Sequence, residues 1–346
     1  MPAQTLKVGL IGAGRIGRMH AGNLATQIES TELVMVADVL EENARQCASR
    51  YAIPAATGDY HDILARPEIE AVVICSSTDT HALIIEEAAR AGKHIFCEKP
   101  IALDLPSIDR ALAAVAEAGV KLQLGFNRRF DSSYSRVRQA VQAGEIGRVQ
   151  QLHIISRDPA PPPISYISGS GGLFLDMTIH DFDMARFLIN SEVDEVFALA
   201  GVMVDTAIGE AGDVDTATIL LRFSNGVIGT IENCRQAVYG YDQRVEVLGS
   251  AGAIRTENQY ANTAIISDSH SIRRDLPLHF YIERYMQSYV TEIESFVDAV
   301  LHDKPVSVTG YDGRMALILG LAAKKSLVEH RPVHLSEIID DAGREA

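Results

Sequence analysis

A glycine-rich segment that follows an apolar run constrains the fold of this 346-residue chain more than any other feature. The run Leu6–Ile11 indicates a buried strand, and Gly12-Ala13-Gly14-Arg15-Ile16-Gly17 follows it where a helical pattern begins. In such a G-x-G-x-x-G segment the first glycine permits a tight turn, the second lets a pyrophosphate approach the backbone, and the third lets helix and strand pack closely. The oriented N–H groups of the helix N-terminus bind phosphate. The candidate cofactor-binding residues here are Gly12, Gly14, Arg15, Ile16 and Gly17.

A carboxylate at the end of the next apolar run strengthens this prediction. Asp38 follows Leu33–Ala37 and lies about 20 residues after Gly17, where an acidic residue binds the adenosine ribose hydroxyls of a dinucleotide. The alternative is a glycine-rich turn that binds no ligand, but strand, helix and carboxylate are all in register. Asp38 would repel a 2′-phosphate, and no arginine follows it directly. We therefore expect NAD rather than NADP as the cofactor.

The first 125 residues alternate short apolar runs with helical patterns. This alternation predicts a doubly wound parallel α/β sheet, because parallel strands need crossovers of a dozen or more residues and the spacing supplies them. The predicted strands are Leu6–Ile11, Leu33–Ala37, Ala71–Cys75, His94–Cys97 and Lys121–Leu124. Residues 1–125 are thus expected to form a dinucleotide-binding domain.

The pattern changes after this point, and residues 126–346 are expected to form an α+β domain with an open, predominantly antiparallel sheet. The predicted strands are Val149–Ser156, Val193–Val204, Ala217–Phe223, Val227–Glu232, Arg244–Gly249, Thr263–Ser267 and Val306–Val308; the predicted helices are Ser132–Ala143, Leu173–Leu188, Ile282–Leu301 and Gly313–Glu329. Asn225-Gly226 predicts a type I′ hairpin. Few helices are available to cover both faces of this sheet, so an exposed apolar face and a homo-oligomer are expected.

Composition excludes several classes of protein. Lys and Arg number 31 against 46 Asp and Glu, and the net charge of −15 disfavours nucleic acids and anionic membranes as partners. Apolar runs long enough to cross a membrane are absent from the sequence, and the N-terminus lacks the pattern of a signal peptide, so we expect a cytoplasmic protein. The four cysteines are scattered and are expected to be reduced.

Two segments carry candidate catalytic groups. Cys97-Glu98-Lys99-Pro100 ends a predicted strand, and the carboxyl ends of strands face the ligand cleft of such sheets, so Lys99 would lie near the reacting part of the cofactor. Asp176, His180 and Asp183 follow one another at spacings of four and three, which predicts one face of one helix. Oxidation of an alcohol by hydride transfer also requires a group that accepts the hydroxyl proton, and these residues could supply it. An Asp/His pair could instead bind a metal, but further His or Cys at ligand spacing is absent, so the catalytic interpretation is favoured and no metal is expected.

Two further clusters are candidates for binding a polyhydroxylated substrate. They are Asn127-Arg128-Arg129-Phe130-Asp131 and Tyr239-Gly240-Tyr241-Asp242. From the residues alone, a charged domain hinge and a polar loop explain them equally well.

Together these motifs resemble the glucose-fructose oxidoreductase and inositol dehydrogenase family (Gfo/Idh/MocA), and most closely its inositol 2-dehydrogenases. The resemblance rests on the Gly-Ala-Gly-Arg-Ile-Gly segment, Cys-Glu-Lys-Pro at 97–100, Gly-Phe-Asn-Arg-Arg-Phe-Asp at 125–131, and Asp-Met-Thr-Ile-His-Asp-Phe-Asp at 176–183. It extends through Asn-Cys at 233–234, Tyr-Gly-Tyr-Asp at 239–242 and Tyr-Asp-Gly at 311–313. It implies a Rossmann domain, a second domain whose open sheet mediates assembly to a homotetramer, and NAD-dependent oxidation of an inositol ring hydroxyl, myo-inositol to 2-keto-myo-inositol.

The resemblance also implies residue roles. Lys99 would bind the reacting oxygen, Asp176 and His180 would form the acid-base pair, and Glu98 would contact the cofactor. The implied substrate-binding residues are Lys99, Arg128, Arg157, Asp176, His180, Asp183 and Tyr241. One departure is Ser156, where some relatives have His before an Arg-Asp/Asn-Pro turn, and this leaves the choice of hydroxyl open. The alternatives are the same fold acting on another polyol or a pyranose sugar, or a non-catalytic NAD-sensing regulator.

Overall fold

The computed structural model describes residues 4–345, apart from the side chains of residues 168 and 342–345. Contacts divide the chain into two compact units: the first contains the chain up to Asn127 together with Gln287–Leu317, and the second contains Arg128–Met286 and the chain from Ile318 onward. The sequence-based boundary lies two residues before this division, and it assigned Gln287–Leu317 to the other domain. The difference has a physical cause: Ile293, Phe296 and Val297 are buried in the same apolar cluster as the N-terminal strands.

The first unit contains a six-stranded parallel sheet. Its elements are β1 (Leu6–Ile11), α1 (Arg15–Thr26), β2 (Thr31–Ala37), α2 (Glu41–Tyr51), β3 (Ala55–Thr57), α3 (His61–Leu64), β4 (Ala71–Ile74), α4 (Thr78–Arg90), β5 (His94–Glu98), α5 (Leu105–Ala118) and β6 (Leu122–Gly125). The strand order is β3-β2-β1-β4-β5-β6, and every pair is parallel. The predicted doubly wound parallel sheet is confirmed, although the three-residue strand β3 was not predicted.

The parallel strands bring the predicted motifs to one edge of this sheet. Gly12 follows β1, Asp38 follows β2, and Lys99 follows β5. The carboxyl ends of parallel strands lie at the same edge, which is where doubly wound sheets bind ligands. The fold of the first unit therefore brings residues that are far apart in sequence to one edge of the sheet.

The second unit contains a seven-stranded mixed sheet. Its elements are α6 (Ser132–Gln142), β7 (Val149–Arg157), α7 (Ile164–Ser170), α8 (Gly172–Asp176), α9 (Thr178–Ile189), β8 (Val193–Gly201), α10 (Thr206–Glu210), β9 (Thr216–Phe223), β10 (Ile228–Cys234), β11 (Asp242–Gly249), β12 (Gly252–Arg255), the hairpin β13 (Ile265–Ser267) and β14 (Ile272–Arg274), β15 (Val333–His334) and α13 (Leu335–Glu345). The helices α11 (Tyr281–Leu301) and α12 (Gly310–Glu329) contribute residues to both units, and a 3₁₀ helix covers Asn127–Phe130.

The strand order of this sheet is β12-β11-β7-β10-β9-β8-β15. The β7–β10 pair is parallel, and the other pairs are antiparallel. The predicted open, predominantly antiparallel sheet is confirmed. Within the described residues 4–345, no helix is long and apolar enough to cross a membrane.

Two local predictions were wrong. The hairpin between β9 and β10 exists, but its turn is closed by a bond from the Gly226 N–H to the Phe223 carbonyl, and only Gly226 of the Asn-Gly pair has a positive φ, +85°. This is a type I turn followed by a left-handed glycine rather than type I′. The segment Val306–Val308 is not a strand. Its Val308 carbonyl accepts the Leu124 N–H of β6 at 3.2 Å, but the Ser307 N–H bonds to the side chain of Gln123 (3.3 Å) rather than to the main chain of β6.

One face of the mixed sheet carries exposed apolar side chains. They lie on four strands and are Leu199 (59% exposed), Leu220 (44%), Ile228 (48%) and Leu248 (38%). The register puts all four on the same face, because the alternate residues of these strands are buried. The opposite face packs against α9. The predicted exposed apolar face is therefore present in the second unit.

Candidate active site

The glycine-rich turn of the first unit fits a dinucleotide. A Cβ on Gly12, whose φ is +95°, would lie 2.6 Å from the backbone of Cys75, and a Cβ on Gly17 would lie 1.9 Å from the Gly12 carbonyl. Both positions require glycine for packing of the turn. Gly14 is different, because a Cβ added there would have no atom within 4 Å, and this residue precedes α1 without a side-chain cap. The turn thus leaves open backbone and uncapped helical N–H groups, which is the cradle that a pyrophosphate occupies.

Asp38 is tied to this turn. One carboxylate oxygen accepts the Ala13 N–H at 2.7 Å, and the other accepts the Leu40 N–H at 2.9 Å and lies 3.4 Å from Nδ2 of Asn43. The side chain is therefore fixed beside the glycine-rich turn while remaining partly exposed. A fixed carboxylate at this position can accept hydrogen bonds from ribose hydroxyls and repels a phosphate in their place.

We expect NAD to be preferred over NADP because of this carboxylate. Its charge beside a 2′-phosphate corresponds to about 1–3 kcal/mol, or a several-fold to hundredfold difference in kcat/KM. Asp38→Asn, which keeps most of the hydrogen bonds and removes the charge, should narrow the difference mainly through KM for NADP. Steady-state kinetics with both cofactors measures it, and a wild-type kcat/KM for NADP that equals or exceeds the value for NAD would contradict the assignment.

Lys99 is held in a short, well-anchored turn at the end of β5. The residue is partly buried, and the Lys99–Pro100 peptide bond is cis. The carbonyl of Pro100 lies 2.8 Å from Nδ1 of the buried His81, and Glu98 on the other side contacts His20. Buried histidines thus hold the Pro100 carbonyl on one side of Lys99 and the Glu98 side chain on the other.

Asp176 is held by a tyrosine and an arginine of the second unit. Its carboxylate accepts a hydrogen bond from the Tyr166 hydroxyl (2.9 Å) and lies 3.5 Å from Nη2 of Arg235. Arg235 is 1% exposed, whereas the Asp176 side chain keeps 14% of its surface. A buried guanidinium and a tyrosine thus orient a carboxylate that a small molecule can still reach.

The prediction of one continuous helix carrying Asp176, His180 and Asp183 was wrong. Helix α8 ends at Asp176 and α9 begins at Thr178, with His180 in the first turn of α9. The break coincides with a tether to the sheet, because the Thr178 hydroxyl donates to Oδ1 of Asn233 on β10 at 2.6 Å. Asp176 and His180 are therefore neighbours across a helix junction rather than on one regular helical face.

Asp183 is buried, 1% exposed, and forms a two-point ion pair with Arg129, at 2.8 Å from Nε and 2.5 Å from Nη2. Arg128 is also buried and pairs with Asp181 at 2.5 Å. The predicted substrate-binding residues Arg128 and Asp183 are thus bound to protein partners in this structure. Their ion pairs join the segment Arg128-Arg129 to helix α9.

Arg157 and Tyr241 occupy different surroundings. Arg157 is partly exposed and is bonded to the Tyr239 hydroxyl (3.0 Å) and to Glu232 (3.1 Å). Tyr241 is buried, and its ring meets that of Tyr285 edge-on at 6.0 Å between centroids. Burial raises the pKa of Tyr241 well above its ordinary value, so its hydroxyl stays protonated.

Sequence reasoning missed several polar residues that the second unit gathers here. Burial raises the pKa of Asp158 to about 6, against the opposing charge of Arg235 4.0 Å away. Burial also raises the pKa of Asp181, although its carboxylate accepts bonds from Arg128 and from Nδ2 of Asn233 (2.8 Å). Asp181 lies inside one of the sequence motifs and Asn233 in another, but nothing in their spacing indicates that they touch.

Comparison with known proteins identifies the family. Residues 6–126 match the model of an oxidoreductase family with an NAD-binding Rossmann fold, and residues 134–255 match the GFO/IDH/MocA C-terminal domain. The chain belongs to the GFO/IDH/MocA family. The predicted family, fold class and NAD cofactor are thereby confirmed, and the chain is an NAD-dependent oxidoreductase.

Two relatives and one solved structure show how close the similarity is. The chain is 48% identical to the Myo-inositol 2-dehydrogenase of Thermotoga maritima over 334 residues, 96% of this chain and 100% of that protein. It is 46% identical to the Inositol 2-dehydrogenase of Rhizobium meliloti, over 96% and 100% of the two chains. The crystal structure of scyllo-inositol dehydrogenase from Lactobacillus casei with bound NAD(H) and scyllo-inositol superposes with a TM-score of 0.90, at 31% identity over 96% and 100% of the chains.

Proposed function

We propose that this protein oxidises a ring hydroxyl of an inositol to a ketone with NAD, converting myo-inositol to 2-keto-myo-inositol. The observation that carries the proposal is the arrangement in the second unit, where Tyr166 and the buried Arg235 orient Asp176, four residues before His180 in the sequence. Such a pair supplies a positioned proton acceptor, which oxidation of an alcohol requires. Relatives that share this chain's full length and nearly half of its residues are named inositol dehydrogenases.

The proposed chemistry separates one proton and one hydride. His180 takes the hydroxyl proton, Asp176 orients His180 and stabilises the imidazolium that forms, and the Lys99 ammonium stabilises the negative charge that develops on oxygen. Bound NAD would accept the hydride that leaves the carbon bearing this hydroxyl. The products are a ketone, NADH and a proton, so atoms and electrons balance.

The proposed substrate contacts fall into two groups. Lys99, Asp176, His180 and Arg157 are partly exposed and contact the cyclitol directly. Arg128, Asp183 and Tyr241 are buried, and the first two are already ion-paired, so we propose that they fix the walls of the site. Glu98, together with Gly12, Gly14, Arg15, Ile16, Gly17 and Asp38, serves the cofactor.

The preferred isomer depends on which hydroxyls find partners. Ser156, where some relatives have His, is buried and donates to Oε1 of Gln243 at 3.0 Å. A substrate hydroxyl that finds no hydrogen-bond partner in a buried site lowers the affinity for that stereoisomer. The exchange of one hydrogen-bonding side chain for another can therefore change which stereoisomer is preferred.

Initial rates of NADH formation with myo-, scyllo- and D-chiro-inositol and with common aldoses test the proposal. We expect the highest kcat/KM with myo-inositol. A higher value with an aldose would show another polyol to be the substrate, and NAD binding without turnover of any of them would indicate a sensor rather than an enzyme.

We propose that the protein assembles as a homotetramer through the apolar face of the mixed sheet. Four large apolar side chains on one open sheet face are more than a monomer in water normally exposes together. Light scattering should give about 150 kDa, four times the chain mass of 37.6 kDa. Leu220→Asp should lower that mass, whereas Leu83→Asp, at an equally exposed leucine on α4, should not. A monomeric wild type at micromolar concentration would contradict the proposal.

We also propose a cytoplasmic location. The four cysteines, Cys47, Cys75, Cys97 and Cys234, are all free thiols in the structure. Free, mostly buried thiols are typical of proteins that fold in a reducing compartment.

A further inference from the structure

A buried cluster of titratable side chains adjoins Lys99 in the first unit, and two of its three members have no role in the function proposed above. It consists of His20 on α1, Glu98 at the end of β5 and Glu292 on α11, and one nitrogen or oxygen atom of each lies within 4.8 Å of those of the other two. His20 and Glu292 are fully buried, and the Glu98 side chain is 13% exposed. Two carboxyl groups and an imidazole are therefore gathered in a largely buried site.

His20 fixes the carboxylate of Glu98. The Nε2 atom of His20 lies 2.8 Å from Oε1 of Glu98. The imidazole is itself held by edge-on contacts with Phe96 (5.5 Å between centroids) and Tyr289 (5.8 Å). A rigid ring thus determines where the Glu98 side chain lies.

Glu292 faces this pair without a counter-ion. Among the residues that the structure describes, neither of its buried carboxyl oxygens has a hydrogen-bond partner, and the same holds for Nδ1 of His20. The Gln123 side chain donates to the main-chain carbonyl of Glu292 at 2.7 Å, which holds this turn of α11 in place. An ionised carboxylate is strongly disfavoured in such surroundings, whereas a neutral acid carries an O–H group that can donate to Glu98 or to the bare nitrogen of His20.

We propose that Glu292 is kept as a neutral carboxylic acid that shares its proton with the Glu98–His20 pair, and that this cluster positions Lys99. The positioning role rests on the function proposed for Lys99 above. Lys99 lies between Glu98, which His20 holds, and Pro100, whose carbonyl His81 holds. His20 and Glu292 are therefore positioning residues, which act through Glu98 and the backbone that follows it.

The charges around the cluster agree with this protonation state. Burial and the negative charge of Glu98 raise the pKa of Glu292 well above its ordinary value. Among the neighbouring titratable groups, the Cys75 and Cys97 thiols have pKa values that burial and Glu98 also raise, so both stay neutral, and the Tyr289 ring lies edge-on to His20. A divalent ion held by the same three side chains is the alternative, but the direct 2.8 Å bond between His20 and Glu98 is the contact such an ion would replace.

The first test uses Glu292→Gln, which has the shape of the neutral acid and nothing to titrate. In the native state Glu292 keeps its proton, whereas in the unfolded chain it releases the proton above a pH of about 4.3. The free energy of unfolding of the wild type should therefore fall as the pH rises above this value. The melting temperature of Glu292→Gln minus that of the wild type should therefore increase by several degrees between about pH 5 and pH 9. Glu294→Gln, at an exposed position of the same helix, should show no such trend. A difference that stays constant or decreases overturns the proposal, as does a stoichiometric metal ion in the purified wild type.

The second test asks whether His20 acts through Lys99. His20→Leu should lower kcat about 10- to 100-fold with little change in KM for NAD. The kcat of His20→Gln should be close to the wild-type value, because its amide can still donate a hydrogen bond to Glu98. In a Lys99→Met background, His20→Leu should have no further effect. If Lys99→Met alone is nearly as active as the wild type, the role proposed for Lys99 fails, and the positioning role of His20 fails with it. If Lys99→Met is inactive while His20→Leu matches the wild type, only the positioning role fails.

Discussion

Replacement of His180 by Ala is expected to lower kcat by about two to four orders of magnitude, the typical contribution of a positioned general base. NAD affinity should stay near the wild-type value, because the cofactor contacts we assign belong to the first unit and His180 to the second. Steady-state kinetics with myo-inositol and a separate NAD titration measure the two effects. His334→Ala, at an exposed histidine of β15 in the same unit, is the matched control and should keep the wild-type rate.

The pH dependence gives a second test of the same residue. Only the neutral imidazole can accept a proton, so kcat/KM for oxidation should fall as the pH is lowered and the base becomes protonated. If Asp176 and Lys99 are coupled to His180, the apparent value belongs to the group of residues rather than to His180 alone. A folded His180→Ala protein with normal turnover and an unchanged pH profile would show that α9 does not carry the proton acceptor.

Replacement of Lys99 by Met is expected to lower kcat by an amount similar to the loss of His180. Met keeps most of the length and apolar stem of the side chain and removes the charge that stabilises the developing alkoxide, which is worth about two to three orders of magnitude in comparable sites. The loss should appear in kcat more than in KM for NAD.

Two further variants separate charge at this site from charge in general. Lys304→Met, at an exposed lysine whose partner is Asp298 on the surface, should leave the rate unchanged. Lys99→Arg keeps a positive charge with a different shape and should not restore wild-type turnover. A Lys99→Met protein with a normal kcat would remove Lys99 from the mechanism.

The first unit could be predicted closely because its sequence is locally consistent. Each predicted strand is a short, largely buried apolar run, and the residues at the ligand edge include some with a specific steric or charge requirement, such as Gly12, Gly17 and Asp38. The place of helix α11 escaped the prediction, since its apolar residues, for example Ile293 and Phe296, do not reveal which sheet they cover. Periodicity shows that a helix has an apolar face, but it does not identify the partner of that face.

The second unit was harder to predict because its site depends on contacts between distant elements. The break between α8 and α9 coincides with the bond between Thr178 and Asn233, which are 55 residues apart. Arg235 is likewise far from its partner in sequence: it orients Asp176, 59 residues away, and belongs to no recognisable motif. Local patterns located the acids and the histidine, but only the fold shows which neighbours hold them.

Transfer of the ring hydrogen to the cofactor tests the central claim most directly. The protein is incubated with NAD and myo-inositol that carries deuterium on the carbon bearing the reactive hydroxyl, and the reduced cofactor is analysed by mass spectrometry. Our account predicts one deuterium in each NADH formed, with the ketone as the other product. Reduced cofactor without deuterium, or bound NAD that is never reduced in the presence of any inositol, would contradict it.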